Sequence, residues 1–210
     1  MIIALYYILL ALLLAVACWF SPYLLLQLML AWAALSFLVV SSAYWLNSAS
    51  VFRKRQDGSL PWYSRWLFIP FLLSAGLYNL QARRRDKVAP IQRVSGGLYL
   101  GARLTAADMA QLRDEQIMAV LDVTAEFAAL DELSQSDDIN YLNIPVLDHA
   151  SPSRTQLHQA VNWLQHQRSE GRKVLVHCAL GRGRSVLVLA AFLLSRHNSS
   201  SAEKAGCRER

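Results

Sequence analysis

The sequence predicts an α/β domain with a central sheet flanked by helices, preceded by an N-terminal hairpin of two transmembrane helices. Three observations predict this organisation. No charged residue occurs before Arg53. Beyond residue 88, short apolar runs alternate with helical patterns, in an order typical of an α/β domain. The last apolar strand, from Val174 to His177, leads through a glycine-rich loop into a helical run from Val186 to Leu194.

The membrane hairpin is predicted from two apolar runs, residues 1–20 and 23–46, which Ser21 and Pro22 separate. Each run is about long enough to cross a hydrocarbon core of ~30 Å. A cleaved signal peptide ending near Cys18 is the alternative, but no basic segment precedes it and a second apolar run follows it. Aromatic residues, which favour membrane interfaces, stand at the ends of the runs: Trp19, Tyr23, Tyr44 and Trp45.

Residues 47–87 contain a basic loop and a third apolar segment, Leu60 to Leu80, with Arg53–Arg55 before it and Arg83–Lys87 after it. Basic residues beside apolar segments favour the cytoplasmic side of a membrane. A third crossing would place one cluster outside, so we expect an interfacial or re-entrant segment whose clusters contact anionic lipid. A full third crossing is the alternative. The formal net charge of +6 therefore indicates membrane lipids as partners, and no nucleic acid.

A candidate phosphate-binding loop joins the last strand to the last helix. A phosphate monoester is a dianion that needs several donors at once. A short loop that opens a helix supplies converging backbone N–H groups together with the helix dipole. Glycine permits the backbone dihedral angles that such a loop requires. The predicted substrate-binding residues are the five between Cys178 and Arg184, namely Ala179, Leu180, Gly181, Arg182 and Gly183.

The residues that border this loop indicate catalysis. Cys178 lies at the start of the loop, where the backbone N–H groups and the helix dipole favour a thiolate, which is the nucleophilic form. Arg184 can bind two phosphate oxygens with its planar guanidinium. The Ser185 hydroxyl is placed to donate a hydrogen bond to the sulfur and help it leave in a second step, while His177 supports the loop by hydrogen bonds. The alternatives are a buried structural cysteine and a rhodanese-type sulfur-transfer loop, which usually has only four residues between Cys and Arg.

The spacing of Cys178 and Arg184 resembles the Cys-x5-Arg signature of the dual-specificity branch of the protein tyrosine phosphatase superfamily. The resemblance covers residues 88–198 and includes Gly96–Ala102, Ile117–Phe127 and Tyr141–Asp148. It implies a dual-specificity phosphatase-like fold and a cysteine-dependent phosphatase with a phosphocysteine intermediate, without metal or cofactor. Members of this family usually continue with one or two further helices. Residues 199–210 instead form a polar tail, so we expect the C-terminal helices to be truncated.

Asp148 is the candidate general acid. It follows an apolar strand and lies in a polar loop, where a carboxyl group could protonate the leaving oxygen and then activate water. Asp137 and Asp138 are the alternatives for this role, and Asp148 could instead cap the next turn. Asp122 ends a buried strand, and we expect it to be structural.

The substrate class is predicted from Arg182 and the membrane segments. Lipid-phosphate members of the superfamily often carry a basic residue inside the loop. The catalytic stretch resembles such members, including the mitochondrial phosphatidylglycerophosphate phosphatase. A phospholipid is therefore the first choice, with a membrane-anchored protein tyrosine or dual-specificity phosphatase as the second. The third alternative is not an enzyme but an inactive phosphate-binding protein or membrane scaffold protein.

The cysteines indicate a compartment. They form neither a metal-binding spacing nor a disulfide framework, and a nucleophilic thiol needs a reducing environment. We therefore expect an integral membrane protein, of a bacterial inner membrane, with its catalytic domain on the cytoplasmic side. The three cysteines are Cys18, Cys178 and Cys207.

Overall fold

The computed structural model describes residues 2–86 and 89–206. It divides them into two compact units, of which the first comprises residues 2–55, 59–86 and 125–128, and the second residues 56–58, 89–124 and 129–206. Lys87 of the second basic cluster, the expected domain boundary at residues 87–88, and the end of the predicted polar tail with Cys207 lie outside the described residues.

The first unit is built on two long apolar helices, α1 (Ile2–Phe20) and α2 (Leu24–Trp45). They run antiparallel, because residues near the start of α1 contact residues near the end of α2. The Ser41 hydroxyl donates to the Ala4 carbonyl at 2.8 Å, and the ring of Tyr7 stacks on Phe37 with centroids 5.9 Å apart. Within the described residues, these are the two helices long and apolar enough to cross a membrane, with mean hydropathies of 2.6 and 2.2.

The third apolar segment forms two helices, α3 (Trp62–Leu67) and α4 (Ile69–Arg85), which meet at Phe68. Pro70 explains the break, since proline has no N–H to donate and its ring clashes with the preceding turn of a continuous helix. One face of α4 is buried through Phe71, whose ring lies 5.8 Å from that of Tyr7. Apolar residues of α4 also face outward, namely Leu73, Leu77 and Leu80.

The second unit is a mixed five-stranded sheet in the order β1-β2-β5-β3-β4. The strands are β1 (Ile91–Ser95), β2 (Leu98–Gly101), β3 (Ile117–Thr124), β4 (Asn140–Val146) and β5 (Lys173–His177). β1 is antiparallel to β2, and the other neighbouring pairs are parallel.

Helices cover both faces of this sheet, which confirms the predicted α/β class. The apolar side chains of α7 (Arg154–Ser169) and α8 (Arg184–Gly206) join β3 and β5 in one core cluster that includes Leu121, Leu164, Val176 and Phe192. α5 (Met109–Asp114) contributes to a second cluster with Val120 and Leu175. The short α6 (Asp131–Ser134) precedes β4, and 3-10 turns occupy Ala49–Phe52 and Ala106–Asp108.

The central strand β5 and the long helix α8 place the candidate loop. β5 lies between β2 and β3, all three parallel, so its carboxyl end meets theirs at one edge of the sheet. The residues between His177 and Arg184 join β5 to α8 there. α8 continues to Gly206, beyond the predicted helical run and into residues that the sequence pattern assigns to a polar tail.

Candidate active site

The loop Cys178–Gly183 is seated on the end of β2. The Cys178 N–H donates to the Gly101 carbonyl at 3.3 Å, and the Ala179 carbonyl accepts from the Arg103 N–H at 3.1 Å. Gly181 has a φ of +72°, and a Cβ there would lie 2.8 Å from the Gly101 carbonyl group. A side chain at position 181 would therefore be strained and would push the loop away from β2.

Cys178 is 3% exposed, and its sulfur accepts hydrogen bonds from the loop and from the start of α8. The Ser185 hydroxyl donates to Sγ at 3.3 Å and the Gly181 N–H at 3.2 Å. Burial by itself raises the pKa of the Cys178 thiol. Hydrogen bonds from Ser185 and Gly183 and the charge of Arg184 outweigh burial, so the pKa lies below its ordinary value. The site therefore favours the thiolate that nucleophilic attack requires.

Arg184 is fixed at the first position of α8 by the end of β4. It is 2% exposed, and its Nη1 donates to the Val146 carbonyl at 2.7 Å. Its Nη2 lies 3.0 Å from Asp148 Oδ1. A buried guanidinium beside the sulfur presents a fixed positive charge, and its planar donors match the oxygens of a phosphate group.

Asp148 lies in the loop between β4 and α7, and its side chain is 41% exposed. The far end of this loop is fixed, because Ser153 and Gln156 form a reciprocal capping box at the start of α7. The Gln156 side chain also donates to the Pro145 carbonyl at 2.8 Å. Asp148 thus belongs to an exposed loop with two anchored ends, and it reaches the guanidinium at the site.

The two alternative carboxylates lie at the other end of β4. Asp137 and Asp138 precede Asn140, where β4 begins, whereas Asp148 follows Val146, where β4 ends. Seven residues of β strand span about 20 Å. The structure therefore brings Asp148 together with Arg184, and it does not bring Asp137 or Asp138 there.

Within the loop, the side chains differ in exposure. Ala179 is buried and Leu180 is half-buried, whereas Arg182 and Gly183 are exposed. The Arg182 side chain therefore lies at the surface of the loop.

Sequence patterns did not predict a row of polar side chains beneath the loop, which consists of Tyr141, Asp122 and His177. Asp122 is 2% exposed, and its Oδ1 accepts from the Thr124 N–H and hydroxyl, both at 2.8 Å. Its Oδ2 accepts from the Tyr141 hydroxyl at 2.7 Å. His177 Nε2 lies 3.9 Å from Asp122 Oδ1. Asp122 is thus hydrogen-bonded within the sheet, and its carboxylate lies beside the residue that precedes Cys178.

No group of three or more potential metal ligands occurs among the described residues. Cys18 and Cys178 are free thiols. The groups that the site brings together are the Cys178 thiol, the Arg184 guanidinium, the Ser185 hydroxyl and the Asp148 carboxyl group.

Residues 98–206 match the family model described as dual specificity phosphatase, catalytic domain. Among curated proteins, the chain is 36% identical over 107 residues to dual specificity protein phosphatase Mpk3 of Drosophila melanogaster, covering 50% of this chain and 26% of that protein. It is 34% identical over 119 residues to human dual specificity protein phosphatase 12, covering 56% and 35%. The match thus spans about a third or less of these relatives.

Solved structures resemble about half of the chain. Tk-PTP in the active form is 26% identical, with a TM-score of 0.48, over 52% of this chain and 75% of that one. PTPMT1 in complex with PI(5)P is 24% identical, with the same TM-score and coverage.

Proposed function

Since the chain belongs to the dual specificity phosphatase family, we propose that it is a membrane-anchored cysteine-dependent phosphatase that hydrolyses a phospholipid monoester through a phosphocysteine intermediate. The observation that carries the chemistry is the environment of Cys178. Its sulfur accepts hydrogen bonds from Ser185 and Gly181, and its pKa lies below the ordinary value. A cysteine that serves only in packing does not require hydrogen bonds to its sulfur or a lowered thiol pKa.

In the first step the loop and Arg184 hold the phosphate, and the Cys178 thiolate attacks phosphorus. The sulfur–phosphorus bond forms while the bond to the alcohol oxygen breaks. Asp148 donates a proton to that oxygen, so the product leaves as a neutral alcohol.

In the second step a water molecule attacks the phosphocysteine. Asp148, now a carboxylate, accepts a proton from the water as its oxygen bonds to phosphorus. The phosphorus–sulfur bond breaks, inorganic phosphate is released and the sulfur leaves as a thiolate. The Ser185 hydroxyl, 3.3 Å from Sγ, stabilises the charge that returns to sulfur.

The contact between Arg184 and Asp148 must open during this cycle. A dianionic phosphate competes with the carboxylate for the guanidinium donors. Because Arg184 is buried and Asp148 lies in an exposed loop, Asp148 is the partner that moves. Its displacement by substrate would turn the carboxyl group from the guanidinium toward the leaving oxygen.

A lipid substrate is supported by features outside the loop and by Arg182 within it. α1 and α2 are candidate membrane spans, and α4 carries outward-facing leucines and ends in three arginines, Arg83–Arg85. Apolar and basic surfaces of this kind favour an anionic membrane interface. Arg182 adds an exposed cation that suits an acidic headgroup. The basic clusters and the thiolate both favour the cytoplasmic side.

A protein substrate is the second candidate, favoured by relatives that are named dual specificity protein phosphatases. The release of inorganic phosphate from candidate substrates by the full chain in lipid vesicles distinguishes a lipid phosphatase from a protein phosphatase. Phospholipid monoesters in the vesicle and soluble phosphotyrosine and phosphothreonine peptides are compared as substrates, with Cys178→Ser as the blank. We expect a higher kcat/KM for a lipid, and Arg182→Ala should lower it for lipids more than for an aryl phosphate.

The same assay can reject the lipid assignment. A higher kcat/KM for peptides would make the protein a membrane-anchored protein phosphatase. No release above the Cys178→Ser blank from lipid, peptide or aryl phosphate would leave an inactive phosphate-binding scaffold.

A further inference from the structure

Three residues of the basic loop, Gln56–Gly58, belong to the catalytic unit, although the residues on both sides of them belong to the first unit. The family match begins only at residue 98, so these residues lie outside it. The Gln56 carbonyl accepts from the Asn143 N–H at 2.9 Å, and the Gly58 carbonyl accepts from the Ala129 N–H at 3.0 Å. Since β4 is an edge strand, the segment covers an otherwise open backbone edge.

Gly58 fits this place because it has no side chain. It is buried with a φ of +80°, and a Cβ would lie 2.5 Å from both Ala129 Cβ and Tyr141 Oη. A larger residue at position 58 would therefore have to displace the tyrosine or the segment.

Tyr141 is held as a hydrogen-bond donor. Burial, the charge and hydrogen bond of Asp122 and the charge of Asp57 all raise the pKa of its hydroxyl above the ordinary value. The hydroxyl therefore keeps its proton and donates to Asp122 Oδ2 at 2.7 Å.

A row of residues then crosses the sheet to the nucleophile. Asn143, Asp122 and His177 are in register on β4, β3 and β5. The Asn143 side chain donates to the Asp122 carbonyl at 2.9 Å, and Asp122 Oδ1 lies 3.9 Å from His177 Nε2. His177 is joined directly to Cys178, so the row runs from Gln56 to the residue beside the sulfur.

We infer that Gln56–Gly58 is a positioning segment for the active site: by fixing Tyr141 and Asn143 it holds Asp122 beside His177 and so sets the placement and reactivity of Cys178. The inference rests on the proposed function, because it assigns this segment to the same reaction. Neither Gln56 nor Gly58 needs to contact substrate for this role. The segment acts through the sheet, and a displacement of about 1 Å at a reacting group is enough to slow catalysis strongly.

Two variants of the full chain test the inference. Gly58→Ala places a methyl group against Tyr141, and Tyr141→Phe removes only the hydroxyl that Asp122 accepts from. Gln56→Ala is the matched control, because Gln56 contributes its backbone carbonyl and its side chain is exposed. Gly76→Ala is the control for the glycine change, because a Cβ there meets no atom within 4 Å.

Steady-state hydrolysis of an aryl phosphate is the first measurement. We expect both test variants to lose about 10- to 100-fold in kcat while KM changes much less, because the phosphate-binding loop and Arg184 remain. Both controls should keep the parent kcat. A general loss of folded protein would also lower the apparent kcat at unchanged KM, so kcat is calculated from the concentration of active sites that titration gives.

The pH dependence of Cys178 alkylation by iodoacetamide, followed by mass spectrometry, is the second measurement. Displacing the loop weakens the hydrogen bonds that lower the thiol pKa. We therefore expect the pH at the midpoint of the alkylation curve to rise in both test variants and to equal that of the parent in both controls. The charged and titratable groups that the structure places near the thiol are Arg184 at the start of α8, Asp148 after β4, which contacts Arg184, His177 on β5 with Asp122 on β3, and Arg182 of the loop.

The outcomes separate this inference from the proposed function. A parent without phosphatase activity overturns the proposed function, and the alkylation midpoints then still decide the positioning role. An active parent whose kcat and midpoint are unchanged by Tyr141→Phe overturns the inference alone. If Gly58→Ala does not fold, Tyr141→Phe decides by itself.

Discussion

Arg184 Nη2 lies 3.0 Å from Asp148 Oδ1, which pairs a buried guanidinium with an exposed carboxylate at the start of α8. The contact brings the candidate phosphate-binding arginine and the candidate general acid together from elements more than thirty residues apart. It also identifies which of the two groups is free to shift when a phosphate arrives.

Cys178→Ser should abolish turnover and keep affinity for inorganic phosphate, because the loop and Arg184 remain while the nucleophile is lost. Aryl phosphate hydrolysis measures the first property, and isothermal titration with inorganic phosphate measures the second. Cys18→Ser, at the other described thiol, should behave like the parent. Turnover in Cys178→Ser comparable to that of the parent would exclude a phosphocysteine mechanism.

Asp148→Asn should slow esters with poor leaving groups far more than activated aryl phosphates, since only the former need a proton on the departing oxygen. The loss expected for a general acid is about 10²–10⁴-fold. A series of phosphate esters with graded leaving groups gives the measurement. Asp138→Asn, at the opposite end of β4, is the matched control, and a leaving-group effect in that variant instead would move the acid to Asp138.

Ser185→Ala should raise the pKa of Cys178, because the Ser185 hydroxyl is the largest of the groups that lower it. The reactive form is the deprotonated one, so the rise in alkylation rate and in kcat/KM should move to higher pH. Activity should therefore fall most on the acid side. Ser195→Ala is the control, because the Ser195 hydroxyl donates to Phe192, further along α8. An unchanged alkylation midpoint in Ser185→Ala would show that the backbone and Arg184 alone set the thiol pKa.

Single cysteines introduced at Ser48 and Asn79, in a background without other reactive thiols, should stay unlabelled by an impermeant reagent in intact cells. Both should react once the cells are opened. The reason is that the basic clusters near both positions favour the cytoplasmic side. Labelling at Asn79 but not at Ser48 in intact cells would instead indicate a third crossing.

Much of the site was predictable because it is local in sequence. Strand, loop and helix from Val174 to Leu194 carry the candidate nucleophile Cys178, and Arg184 and Ser185 follow it within a span of eight residues. The chemistry proposed for them depends on that spacing. Asp148 could be proposed from its place after an apolar strand. The α/β class followed in the same way from alternating patterns.

The remaining features depend on partners that sequence patterns do not specify. The contact of Asp122 with His177 requires β5 to lie beside β3 in a particular register, and parallel register across a crossover is not encoded in either strand alone. Gln56 meets Asn143 across 87 positions of the chain, the difference between their numbers. The break between α3 and α4 at Phe68 does not depend on distant partners. Pro70 is a local signal for it, but the continuous apolar pattern suggested a single segment.

Direct trapping of the intermediate tests the central claim. The full chain in vesicles is mixed with substrate, quenched in acid within one turnover, digested and examined by mass spectrometry, with Asp148→Asn used to slow the second step. The account predicts a phosphate on the peptide that contains Cys178, attached through sulfur and absent in Cys178→Ser. Turnover with no phosphorylated Cys178 at any quench time, or with the phosphate on another residue, would contradict it.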